Sequence, residues 1–162
     1  MNTQKFITNL VLSAALVLSC NSTRAAHDDE FAIGTVSPLA VIDEYQTFDD
    51  AYQAFYLGSD ELARVAKWPE NIRISVYFGT WCHDSQREVP KLMRIAEASP
   101  SVKYSWVALD LNKSDPQQLA KSARVKFTPT IIVYDGEKEL GRIIERPKVT
   151  LIDDITLLIE QG

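Results

Sequence analysis

The chemistry of this chain gathers in residues 77–85, YFGTWCHDS. A β-rich run ends at Phe78, Gly79 and Thr80 leave it, and Cys82 stands where a helical pattern begins. A thiol at a helix start faces unpaired N–H groups and the positive end of the helix dipole. Both favour the thiolate, and the thiolate is the nucleophile. The bland alternative is a buried, inert core cysteine. The surroundings make Cys82 the candidate catalytic residue, with Trp81 as a rim residue beside it. His83, when cationic, would favour the thiolate. Asp84 suits a helix start but its charge would oppose a neighbouring thiolate. Ser85 has two available roles, a hydrogen bond to the thiolate or a cap on the new helix. Cys82 and His83 alone are too few ligands for a closed metal site, so neither a metal nor another cofactor is expected.

The surrounding elements must position that thiol. Residues 72–78, IRISVYF, alternate as a strand, and residues 83–98 carry a helical stripe through Val89, Leu92, Met93 and Ala96. Residues 102–111 form a second strand pattern. Asp115 followed by Pro116 predicts a helix start, cap and first position, running to about Ala123. Two short strands, 131–134 and 139–144, flank Asp135-Gly136, a hairpin signal. Leu151, Ile152, Ile155, Leu158 and Ile159 predict a last helix. Upstream, residues 48–56 have helical spacing with Thr47 available as cap, and Ser59-Asp60 opens another short helix. The order β-α-β-α-β-β-α from Ile72 predicts an α/β fold, a mixed central sheet with helices on both faces. The segment 31–68 is expected to add an N-terminal strand and one or two helices.

Trp81-Cys82-His83-Asp84-Ser85 between a strand and a helix resembles the thioredoxin superfamily, whose motif is Trp-Cys-x-x-Cys. Pro90 lies five residues after Ser85, where that family has a helix proline. Residues 127–130, Phe-Thr-Pro-Thr, before a hairpin look like its cis-proline loop, and residues 107–110 like its central strand. The resemblance covers residues 72–162. It implies a thioredoxin-like fold, a cis Thr128-Pro129 bond close to Cys82, and substrate binding by Thr128 and Pro129. The departures are as informative. Ser85 replaces the second cysteine, and a hydroxyl cannot resolve a mixed disulfide. Val76 stands where many thioredoxins bury an acid. What remains is one-thiol chemistry, completed by an external thiol reductant.

The chain has 162 residues, 17 Lys and Arg against 22 Asp and Glu, and a net charge of −5. No basic block stands out, so nucleic acid is not an expected partner. Two cysteines exclude a disulfide-rich scaffold. Residues 10–18 are an apolar run too short to span a bilayer, fitting the core of an export signal. Val17-Leu18-Ser19-Cys20 closes it and resembles a bacterial lipobox. That implies a lipoprotein signal at 1–19, lipidation of Cys20, a polar tether at 20–35 and a thioredoxin-like domain at 36–162. The expected location is the bacterial cell envelope, lipid-anchored in the membrane on the extracytoplasmic, periplasmic side. An ordinary cleaved signal near residues 23–25 is the alternative. Three functions follow. The first is monothiol thiol–disulfide exchange on exported proteins with cysteines or disulfides. The second is a non-catalytic polypeptide-binding module. The third is a metal-handling assembly factor using Cys82 and His83.

Overall fold

A computed structural model describes residues 31–162. The signal, Cys20 and most of the tether lie outside the described residues. The elements are β1 (Gly34–Thr35), α1 (Pro38–Glu44), α2 (Gln46–Ala54), α3 (Ser59–Val65), β2 (Ile72–Phe78), α4 (His83–Ala98), β3 (Lys103–Ala108), α5 (Leu119–Ser122), β4 (Thr130–Asp135), β5 (Lys138–Ile144) and α6 (Leu151–Gln161). The sheet order is β1-β3-β2-β4-β5. β2 and β3 are parallel, joined across α4, while β2–β4, β4–β5 and β1–β3 are antiparallel. This is a thioredoxin-like fold with a mixed sheet of five strands.

Period-two alternation splits β2 between two cores. Ile74, Val76 and Phe78 face the larger one, which α1–α4 and α6 cover, and Tyr77 faces a smaller one with Val107, Leu109, Ala120 and Ile132. Helices therefore lie on both faces, but the second carries only the four-residue α5. Phe48 from α2 is fully buried, its ring centroid 5.9 Å from that of Phe78. Truncating such a residue to Ala costs about 3–5 kcal/mol. Trp68 and Trp106 pack in the larger core, as expected.

The N-terminal segment is richer in helix than the sequence pattern suggested. It supplies three helices and a strand of only two residues. Gly34 and Thr35 pair with Ala108 and Val107, so the last two residues of the predicted tether belong to the sheet. Thr47 is not the cap of α2. That helix begins one residue earlier, and Tyr45 occupies both the C-cap of α1 and the N-cap of α2. The Asp115-Pro116 helix start is also corrected. Asp115 accepts the amides of Leu119 and Ala120 at 3.0 and 2.8 Å. A left-handed Gln118 (φ 55°) separates its turn from α5, which begins only at Leu119. The carboxylate caps the helix across an intervening turn, and Pro116 is not its first residue.

Candidate active site

Cys82 is the N-cap residue of α4, in extended conformation at φ −91° and ψ 121°. Its amide donates to Gly79 O at 3.0 Å and its carbonyl accepts from the Gln86 amide at 2.9 Å. The turn thus hands the thiol from the end of β2 to the start of α4. The thiol is half-buried, and Sγ donates to the Thr128 carbonyl at 3.2 Å. The Thr128-Pro129 bond is cis and the loop that carries it lies against Cys82. Thr130 Oγ1 donates to Phe127 O at 2.7 Å and Glu145 N donates to Pro129 O at 2.7 Å. The Thr130 hydroxyl and the Glu145 amide therefore fix the loop opposite the thiol.

Ser85 accepts a hydrogen bond from a backbone amide at the end of β2. It is fully buried, and its Oγ accepts the Gly79 amide at 3.2 Å. The hydroxyl ties the first turn of α4 to the end of β2, satisfying a donor that would otherwise be buried unpaired. Trp81 is half-buried and folds back over Gly79, its Nε1 donating to Leu109 O at 2.9 Å. A Cβ on Gly79 would come within 2.5 Å of the indole, so only glycine permits this approach. Lys113 Nζ stands 5.8 Å from the Trp81 ring centroid, within cation–π range.

His83 is exposed. Asp84 lies in the first turn of α4 and forms an ion pair with Arg87 at 2.7 Å. A cation thus stands against the charge that sequence reasoning set beside the thiol. Arg87 also donates to Glu88 at 2.7 Å, and Glu88 accepts from Lys91 at 3.3 Å. The bond to Glu88 raises the Arg87 pKa above the ordinary arginine value; burial opposes this and Asp84 adds to it. Glu88 is only 4% exposed. The sequence reading missed this buried carboxylate. Its only signal is a pair of cations one and three positions away, a spacing that also occurs on solvated helix faces. Pro90 sits inside α4, buried, and supplies no amide to the Gln86 carbonyl one turn back. Val76 is buried in the larger core. Thr80 was also missed; it is 3% exposed, and its hydroxyl has no partner among the described residues. Among the described residues, no cluster of three or more His, Cys, Asp and Glu side chains is placed to hold a metal ion. No helix among them is long and apolar enough to cross a membrane.

A thioredoxin family model matches residues 40–152. The chain belongs to the thioredoxin family. This thioredoxin-family chain is similar to a thioredoxin of Echinococcus granulosus, 29% identical over 75 residues, covering 46% of this chain and 66% of that one. It is also similar to thioredoxin-2 of Saccharomyces cerevisiae, 32% identical over 69 residues, 42% of this chain and 62% of the relative. The chain spans just under two thirds of the length of these curated relatives. Among solved structures, a protein of unknown function from Pseudomonas aeruginosa aligns at a TM-score of 0.55 and 19% identity, over 76% of this chain and 84% of that one. That likeness is one of fold.

Proposed function

We propose that this thioredoxin-family protein performs thiol–disulfide exchange through a single thiol, Cys82. The observation that carries the reading is the half-buried Cys82 at the N-cap of α4, 3.2 Å from the Thr128 carbonyl beside a cis proline. A polypeptide laid against that loop brings its disulfide to the sulfur. The Cys82 thiolate, having lost its proton to solvent, attacks one sulfur of the substrate disulfide. A Cys82–substrate disulfide forms, the substrate S–S bond breaks, and the other sulfur leaves as thiolate. Ser85 cannot resolve the adduct, and its hydroxyl is engaged by Gly79. An external thiol attacks the mixed disulfide, returns Cys82 as thiolate and leaves with the substrate as a new disulfide. Trp81, Thr128 and Pro129 form the rim that receives the polypeptide, with His83 and Asp84 as its polar neighbours.

The proposed setting is the extracytoplasmic side of a bacterial membrane, with the chain held by lipid on Cys20 and exported proteins as substrates. The lipobox-like Val17-Leu18-Ser19-Cys20 supports it. Two experiments test the whole reading. Non-reducing gels of host envelopes should show adducts with wild type and none with Cys82→Ala; their absence from wild type rejects exchange in favour of a binding module. Cys20→Ala should block fatty-acid labelling and release the chain from membranes; label retained by the variant rejects the anchor.

A further inference from the structure

Asp84, Arg87, Glu88, Lys91 and Ile95 share one face of α4 at helical spacing, starting two residues from Cys82. The last four form one wall of a cleft of about 450 Å³, within the usual range for ligand sites. Phe55, Ile95 and Leu151 give it an apolar lining, and Arg87, Lys91 and Arg146 give it cations. Its two carboxylates are already engaged. Glu88 is held by Arg87 and Lys91, and Glu61 accepts the Gly58 amide at 2.8 Å. Arg146 is exposed and forms no ion pair among the described residues. On a chain of net charge −5, this cleft keeps an uncommitted cation.

The cleft also neighbours the loop that faces the thiol. Arg146 follows Glu145, whose amide holds the Pro129 carbonyl at 2.7 Å. Arg87 and Lys91 lie five and nine positions beyond Cys82, roughly 7 and 13 Å along the axis at about 1.5 Å per residue. An extended peptide covers that span in about two to four residues. A polypeptide with its sulfur at Cys82 that passes the cis-proline loop towards Arg146 would bring its next side chains to the cleft.

We propose that this cleft selects disulfide-bonded polypeptides carrying an Asp or Glu about two to four residues from the reactive cysteine. The carboxylate meets Arg146, and an adjacent apolar side chain rests on Phe55 and Leu151. This rests on the exchange reading above and names its substrate class. The electron balance is that of the exchange step: the Cys82–S bond forms as the substrate S–S bond breaks. The carboxylate only raises the population of the encounter complex.

The test uses the purified full chain in detergent and peptide disulfides with Glu, Gln or Lys three residues from the cysteine. Adduct formation by Cys82 should be about tenfold faster with the Glu peptide than with the Gln peptide at low salt. The preference should shrink towards 0.5 M salt, as screening requires. Arg146→Glu should bring the Glu-to-Gln ratio to one or below, while Lys138→Glu, on the far end of β5, should leave the ratio as in wild type. Equilibrium binding of the same peptides with Ser for Cys gives a readout independent of the thiol. Preference in binding without any adducts retains the cleft and rejects the exchange reading. Adducts at equal rates with all three peptides, or a Glu preference that survives in Arg146→Glu, overturns the cleft assignment and leaves exchange standing. Tight binding of octanoate with no preference among the peptides also overturns it, in favour of a small amphipathic anion.

Discussion

Ser85 and Glu88 lie one turn apart on α4, both are buried, and they are held by different means. Ser85 is neutral and bonds to a backbone amide at the end of β2. Glu88 is charged and depends on two side-chain cations, Arg87 and Lys91, whose side chains are 45% and 33% exposed. The thiol end of the helix is thus tied to β2 by backbone geometry and a neutral hydroxyl, with the Asp84–Arg87 ion pair on its outer side. The cleft end is built from charge, which carries a desolvation cost that only the partners offset. Substitutions at the two ends should therefore fail differently, one through lost chemistry and one through lost stability and salt sensitivity.

Cys82→Ala gives the largest effect at the thiol end. All covalent adducts should vanish on non-reducing gels, while the urea midpoint should move little because the thiol is only half-buried. An unfolded variant would show that the neutral end is structural after all. At the charged end, Glu88→Ala leaves Lys91 without its carboxylate and Arg87 with Asp84 alone. Removing one partner of a fully buried pair costs about 3–5 kcal/mol, but these cations can rehydrate, so a loss of about 2 kcal/mol is expected. Urea denaturation measures it, and a change below about 0.5 kcal/mol would erase the contrast with Ser85.

Ser85→Cys keeps a small side chain at the neutral end and restores a second thiol. Turnover of a disulfide substrate with a dithiol recycling system should rise about tenfold, equivalent to roughly 1.4 kcal/mol of barrier. No rise would mean that the grip of Gly79 on position 85 holds the new sulfur away from Cys82. The smallest effect belongs to an outer ion pair that serves as reference. Glu139 is lowered below the ordinary glutamate value by its hydrogen bonds to Arg142, with burial opposing. A depressed carboxyl stabilises the fold above its unfolded value and loses that contribution as pH falls through its folded value. Glu139→Gln should therefore change the melting temperature by no more than about 3 °C at pH 7, and the difference from wild type should disappear below the usual carboxylate range. A persistent difference in acid would assign the effect to packing.

The sheet from Ile72 onward was legible because its signals are local and strong. The alternation of Ile74, Val76 and Phe78 defines β2, and the stripe through Val89, Leu92 and Met93 defines α4 to the residue. Where the sequence misled, a side chain acted across a gap. Asp115 has the chemistry of a cap, but a left-handed Gln118 displaces its helix by a turn. Cys82, Thr128 and Pro129 were brought together as the resemblance to the thioredoxin superfamily implied. The bond from Ser85 to Gly79 was not readable, because a serine three residues into a helix has several nearby partners and only the packed turn chooses one. Glu88 and Arg146 were missed for a different reason. Their meaning depends on elements far apart in the chain, α4, the α2–α3 connection and the loop after β5, meeting around one cleft.

The position of Trp81 has an optical consequence. Trp68 and Trp106 are 5% and 6% exposed and pack in the larger core. Trp81 is half-buried, adjoins Cys82 in the chain, and is held by one hydrogen bond to Leu109 O. Of the three indoles, its emission is therefore the one expected to respond to whatever is attached to the neighbouring sulfur. The site carries its own fluorophore, and the occupancy of its thiol can be followed without a label.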